Sequence, residues 1–323
     1  MDTGTHLVMS IAISGLALAD PVVAAHPVTF SAVAAGIILG SQAPDVDTIL
    51  KLRNNAVYIR HHRGITHSIP AVIIWPLLIT LVLHLLIPAA DALHVWLWAF
   101  GAVALHVFVD IFNAYGTQAI RPFSKKWVAL GIINTFDPII FSLHIGAIAA
   151  WLFGAPPVPT MSTLYIILIG YYLVRIWLHR AVISAVKSTV PDAEEVILSP
   201  TRYFLQYRVV ANSKTHHYVG RAYGRSITIY DKFPIEPLPK TPLFDAVLLD
   251  PNFQSFVSFS PIYRWEMRTL QNGLQEIRLI DLRYRSNNRY PFVAVAHVND
   301  AYEIQRSYTG WIFTEEKLQS KLI

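Results

Sequence analysis

Histidines and aspartates able to hold a cation gather in three short segments of an otherwise apolar stretch. These are Pro44-Asp45-Val46-Asp47, His61-His62-Arg63-Gly64-Ile65-Thr66-His67-Ser68 and His106-Val107-Phe108-Val109-Asp110. His6 joins them from near the N-terminus. Imidazoles and carboxylates are costly to hold at a bilayer boundary unless they are paired or metal-bound. Their convergence predicts a metal site. With no cysteine in the chain, the donors must be His, Asp or Glu, a set suited to zinc, manganese or iron.

Each segment also has a plainer reading. His106 and Asp110 lie four apart on a helix, so both leave one face and can share a cation or only a hydrogen bond. Asn113 extends that face by a turn. His62 and His67 flank a bend at Gly64 that leads into a helix start at Thr66-His67-Ser68, where free backbone N–H groups favour an anion. Asp45 and Asp47 both reach a cation only if Pro44 bends the chain inward; otherwise they end a helix in a solvated loop. Where not fully coordinated, either could act as general base. Arg63, Arg121 and Arg175 are candidates for contacting a phosphate, although snorkelling to lipid headgroups explains such arginines equally well. His61 is expected to face outward, and His84, His94, His144 and His179 to serve as core or interfacial histidines. Asp137 before Pro138 reads as a helix cap, with an outer metal ligand as the alternative.

The elements that must position these residues are membrane helices. The chain has 323 residues, 54% hydrophobic and 15% charged, with a mean hydropathy of +0.41. That is too apolar for an ordinary soluble protein. Apolar runs near 6–19, 28–43, 68–88, 92–111, 139–154 and 161–183 suggest about six helices, judged against roughly 20 residues per span. The first, second and fifth are short, and residues 6–43 could instead form a hairpin packed inside the bundle. Pro76 is expected to kink the third helix without ending it. The first run lacks the basic region and cleavage site of a signal peptide and is expected to remain as a helix.

Counting sides brings the three segments and His6 to one face. If the first helix leaves the side carrying His6, the second returns with Asp45 and Asp47, and the 51–67 loop stays there. The fourth then returns with His106 and Asp110. All ten Lys and Arg residues before 190 fall on this side, which the positive-inside rule makes cytoplasmic. The expected localisation is a multi-pass bacterial cell-membrane protein with its metal site and C-terminal part in the cytoplasm.

Near Pro191 the pattern changes. Residues 1–190 carry 7 of the 21 acidic residues and 10 of the 13 histidines, whereas the remainder has an ordinary soluble balance. Alternating runs at 202–210, 215–223, 225–230, 263–270, 274–285, 291–298 and 304–313 read as strands, with Asn272-Gly273 as a hairpin turn. Residues 243–256 could be helical or irregular. The expected architecture is a mainly α polytopic membrane domain of about five to six helices over 1–190. A small β-rich cytosolic domain, with a possible protein partner, follows over 191–323. No basic run with interleaved aromatics occurs, so no nucleic-acid partner is expected.

At these residues the chain resembles the bacterial membrane-bound metal-dependent hydrolases whose first-described member is LexA-regulated. The shared elements are Thr5-His6, Pro44-Asp45-x-Asp47, His62-Arg63-x-x-Thr66-His67-Ser68, His106-x-x-x-Asp110, Asn113-x-x-Gly116-Thr117 and Arg121-Pro122-Phe123. With its β-rich tail it is similar to the YfhP-type members found in bacilli. The resemblance implies a distant likeness to zinc-dependent phospholipase C and P1-type nucleases. It also implies His6, Asp45, His62, His67, His106 and Asp110 as ligands. The expected function is hydrolysis of a phosphoester in a membrane lipid or lipid-linked substrate by metal-activated water. The rival expectation is a structural or regulatory protein with a metal-stapled helix bundle. No His-Glu-x-x-His is present, which argues against a zincin, and the few ionisable residues near mid-bilayer argue against a transporter.

Overall fold

A computed structural model describes residues 1–322. Through residue 189 the helices are α1 (Thr3–Leu16), α2 (Pro21–Ala25), α3 (Pro27–Gln42), α4 (Asn55–His61), α5 (Ile69–Leu86), α6 (Ala92–Ile111), α7 (Pro138–Leu152) and α8 (Pro157–Thr189), all but the short α2 and α4 on the apolar runs. Their starts follow from local chemistry. Asp2, Asp20, Asn54, Ser68, Asp91 and Asp137 each accept backbone N–H bonds of the first turn. Prolines open α2, α3, α5 and α7, where no N–H is needed. Asp137 is thus the cap its position predicted. Pro76 stays inside α5.

Among the described residues, α5, α6 and α8 are long and apolar enough to cross a membrane, at 18, 20 and 33 residues. Exposed Ile73, Ile74, Leu77, Leu78, Leu81 and Leu85 coat α5 with an apolar surface that water would not tolerate. Thr3–Ala19 and Pro138–Leu152 are shorter apolar helices. α7, with 15 residues, reaches only ~22 Å against a hydrocarbon core of ~30 Å. α1 and α3 are short and largely buried. Gly40 lets α3 approach α6 so closely that an added Cβ would stand 2.9 Å from the Ala99 carbonyl oxygen.

Packing divides the chain into two compact units. The first comprises Met1–Asp47, Arg63–Arg180 and Pro200–Phe204; the second comprises Thr48–His62, Ala181–Ser199 and Leu205 to the C-terminus. The 51–67 stretch, expected as a loop, contains α4. That helix belongs to the second unit, where Asn55 Nδ2 donates to the Thr309 carbonyl at 2.6 Å and Arg60 Nη1 to Gln254 Oε1 at 3.2 Å.

The second unit carries two four-stranded antiparallel sheets. One runs β1 (Glu195–Pro200), β2 (Gln206–Asn212), β3 (His216–Tyr223), β4 (Ser226–Pro234) in spatial order. The other runs β5 (Tyr263–Thr269), β6 (Gln275–Asp281), β7 (Phe292–Val298), β8 (Ile304–Trp311). Helices α9 (Pro242–Leu249) and α10 (Pro251–Phe259) precede the second sheet, and α11 (Glu315–Lys321) follows it. Every residue of β7 is buried. Phe256 of α10 stacks on Phe292 at 5.5 Å, while Leu318 of α11 and Leu322 pack with Val293 and Val295. A strand covered on both faces needs no polar alternation, which is why β7 is apolar apart from His297, whose Nε2 lies 2.9 Å from Glu276 Oε2.

Candidate metal centre

The last turns of α6 supply His106 and Asp110, both 0% exposed. Across from them, a 3₁₀ turn at Ile65–His67 delivers His67, and the 3₁₀ stretch Ala43–Leu52 that follows α3 delivers Asp45. One donor atom from each of Asp45, His67, His106 and Asp110 lies within 4.8 Å of every other. Asp45 Oδ1 is 3.7 Å from His67 Nε2 and 3.8 Å from His106 Nε2. Asp110 Oδ2 is 3.5 Å from His67 Nε2 and 3.7 Å from His106 Nε2.

These gaps are too wide for hydrogen bonds. They fit donors that share a cation, because ligands at about 2.0–2.2 Å in a tetrahedral site stand roughly 3.3–3.6 Å apart. The oxygens that face the rings, Asp45 Oδ1 and Asp110 Oδ2, accept no hydrogen bond although both are buried. Buried carboxylate oxygens are rarely left so, and a cation would satisfy both. The four residues therefore fit a divalent metal.

The groups behind the donors fix their orientation. His106 Nδ1 lies 2.6 Å from the Ser41 carbonyl oxygen and can only donate to it, which leaves Nε2 with its lone pair toward the cluster. His67 is set through a relay. Its Nδ1 is 3.1 Å from Thr66 Oγ1, and that hydroxyl donates to Asp47 Oδ2 at 2.7 Å. The same Asp47 oxygen accepts the Arg63 backbone N–H at 2.8 Å. Asp47 thus braces the turn that presents His67. Arg63 takes a left-handed backbone, φ 58°, and its buried side chain sends Nε to within 3.2 Å of Asp110 Oδ2 and Nη2 to the Met1 carbonyl at 2.7 Å. The Met1 α-amino group also pairs with Asp110.

His6 stands beside the four. It is fully buried, stacks on the His106 ring at 3.7 Å, and places Nε2 3.4 Å from Asp110 Oδ1. Asn113 Nδ2 donates to Asp110 Oδ1 at 3.0 Å, from the helix face extended beyond Asp110. His62 ends α4 within the second unit, its ring stacked on Tyr58 at 4.6 Å, and is not one of the buried four. Arg121 lies in the segment whose Gly116, at φ 66°, turns so tightly that an added Cβ would meet the Val128 carbonyl oxygen at 2.1 Å. The Arg121 carbonyl accepts the Ile69 N–H at 3.2 Å, which fixes Arg121 at the start of α5. Arg175, expected to meet a phosphate, is instead committed to backbone. Its Nε and Nη2 donate to the Ile132 carbonyl at 3.2 and 2.8 Å, its Nη1 donates to the Phe204 carbonyl, and it is 1% exposed.

Thr66, Ser41 and the Met1 amine were not among the expected site residues. Thr66 reads as a helix start and as a position of the shared motif, with no role toward His67 expected. Ser41 contributes a carbonyl, and a carbonyl leaves no trace in residue type.

Residues 1–182 match the family described as YdjM inner membrane protein. Residues 191–233 match the YfhP middle domain and residues 242–322 the YfhP C-terminal alpha/beta plait domain. Over 323 residues the chain is 55% identical to the protein YfhP of Bacillus subtilis (strain 168), covering 100% of this chain and 98% of that one. No solved structure matches.

Proposed function

The chain belongs to the YdjM inner membrane protein family, and on that premise we propose that its buried histidine–aspartate cluster is the centre of a metal-dependent hydrolase. The substrate is a phosphoester of a membrane lipid or lipid-linked molecule, cleaved at the cytoplasmic face. One observation carries the reading: donor atoms of Asp45, His67, His106 and Asp110 face one another at 3.5–3.8 Å with two carboxylate oxygens left without hydrogen bonds. Imidazole and carboxylate donors without thiolate suit zinc, and manganese or iron take the same set. A divalent metal bound there supplies an acidified water and positive charge for the phosphoryl oxygens.

The chain's own residues do the rest. Asp110, buried and paired with Arg63, holds its end of the cluster. Asp45 is the partly exposed member, its side chain 11% accessible, and can take a proton from a group arriving at the site. Arg121, whose carbonyl is bonded at the start of α5, orients a phosphate by charge-assisted hydrogen bonds, while Arg63 neutralises Asp110 behind the cluster. The cytoplasmic placement is supported by the basic residues clustered toward the site-bearing loops.

Metal analysis of the detergent-purified protein followed by a phosphoester panel tests this. His67→Ala and Asp110→Ala are expected to lose bound metal and turnover together, and Asp45→Asn, which keeps an oxygen donor but loses its charge and basicity, to lose turnover and to bind the metal more weakly. Unchanged metal content in both alanine variants would refute the assignment. A second reading has one observation in its favour: His6, His67, His106 and Asp110 are all fully buried, as in a cross-link between helix ends. There the metal is structural, and the second unit acts through a protein partner. Bound metal with no hydrolysis across the panel selects it.

A further inference from the structure

We infer that the loop between α6 and α7 docks on anionic phospholipid headgroups, with Phe123 inserted at the bilayer boundary and Lys125 and Lys126 among the phosphates. The inference goes beyond the proposed hydrolysis and does not depend on it.

The helices to which the loop is tied fix its level. With 18 and 20 residues, α5 and α6 are ~27 and ~30 Å long, against a hydrocarbon core of ~30 Å. Neither has residues to spare, so their ends lie at the two boundaries. Residues 87–91 alone separate them, so the start of α5 and the end of α6 share one boundary. The loop is hydrogen-bonded to both of those ends. The Arg121 carbonyl accepts the Ile69 N–H at 3.2 Å, and the Leu130 N–H donates to the Ile111 carbonyl at 2.9 Å. It is also joined to the cluster: the Gln118 N–H donates to the Arg63 carbonyl at 2.9 Å, and Arg63 Nε lies 3.2 Å from Asp110 Oδ2.

Its surface has the chemistry of that boundary. Ile120, Phe123 and Leu130 are 44%, 83% and 43% exposed, an apolar area that water penalises and the acyl edge accepts. Lys125 and Lys126 are exposed, and residues 112–131 hold three basic residues and no acidic one. Such a balance is complementary to anionic headgroups. The loop is braced from within, so Phe123 is held outward. Gln118 Nε2 donates to the Lys125 carbonyl at 2.7 Å, and Thr117 and Val128 exchange backbone bonds at 3.1 and 2.8 Å.

The chain has no cysteine, so Phe123→Cys offers a unique site for an apolar nitroxide label. The full chain is placed in nanodiscs of equimolar phosphatidylcholine and phosphatidylglycerol. Collisions with oxygen and with a water-soluble nickel chelate then report depth. The label is expected below the phosphates, shallower than one at Leu78→Cys in the middle of α5. Lipids that co-purify in mild detergent are counted by mass spectrometry, and phosphatidylglycerol should be enriched over phosphatidylcholine. Lys125→Gln with Lys126→Gln should cut that enrichment at least about fivefold with bound metal unchanged, and Lys125→Arg with Lys126→Arg should preserve it. A Phe123 label as open to nickel as one free in buffer would overturn the inference. So would a parent chain without enrichment, or an enrichment that survives the glutamine pair. The depth measurement leaves both lysines in place, so it decides the docking even if the glutamine pair fails to fold. No readout involves turnover, so failure here leaves the hydrolase reading standing, and a silent phosphoester panel leaves the docking loop standing.

Discussion

Replacing Thr66 with valine keeps the branch and volume of the side chain and deletes only its hydroxyl. That oxygen sits 2.7 Å from Asp47 Oδ2 and 3.1 Å from His67 Nδ1. Its loss strips the ring of the acceptor that holds Nε2 toward Asp45 and Asp110. Partners behind metal-binding histidines contribute about 10–100-fold to affinity, or roughly 1.4–2.7 kcal/mol. Hydrogen-bond energetics give a similar figure: one net bond of about 0.5–1.5 kcal/mol, plus about 1–3 kcal/mol for a buried group left unmet. Thr66→Val is therefore expected to bind zinc 10–100-fold more weakly, and Thr66→Ser within about threefold of the parent chain. A competition titration against a chromogenic chelator, in detergent at fixed pH, measures both. Equal affinity in the valine and parent proteins would refute the relay, as would a serine variant as weak as the valine one.

Three further outcomes follow from the geometry. Glu276 is fully buried; burial acts to raise its pKa, yet hydrogen bonds from Arg278, Arg268 and His297 pull it from 4.5 down to about 2. A depressed carboxylate contributes stability that is complete above its unfolded value and lost as pH falls through the folded one. The second unit should thus lose about 3 kcal/mol between pH ~4.5 and ~2, and Glu276→Gln should flatten that slope in tryptophan-fluorescence unfolding curves. Arg175→Met leaves the Ile132 and Phe204 carbonyls without their donor and, at about 1–3 kcal/mol for each buried acceptor left unmet, should cost about 2–6 kcal/mol, read as a fall in Tm in detergent, with a parent-like Tm contradicting the clamp. Gly116→Ala forces a Cβ into the Val128 carbonyl and should lower Tm and metal content together; an unchanged Tm would show that the turn can open.

Most of this architecture was legible because apolar runs report burial or lipid directly. The runs at 68–88 and 92–111 became α5 and α6 almost residue for residue. Length was harder to judge: 139–154 is as apolar as a span, yet its helix ends at Leu152, followed within five residues by Gly154, Pro156 and Pro157. Alternation located β3, β5 and β8 within two residues, but β1 was missed, its six residues having no clear in-and-out pattern. α4 and α11, seven residues each, are too short to show a period. At the site, His6, Asp45, His67, His106 and Asp110 were legible by type and by side of the membrane. The contacts by which Asp47 braces the His67 turn were not, nor was the commitment of Arg175 to backbone carbonyls. A carboxylate that braces a turn and one that binds a cation are the same letter, and a guanidinium spent on carbonyls resembles one kept for phosphate.

Arg63 meets two demands that no other side chain satisfies together. Its φ of 58° suits glycine, and an L-residue there is penalised by about 1–2 kcal/mol. Its guanidinium, meanwhile, neutralises Asp110. Arg63→Gly would relieve the backbone while unmasking a buried anion, and Arg63→Lys would keep the charge but lose the fork. Local conformational comfort has been given up here for charge balance, so consensus-style stabilisation of this position would work against the site it supports.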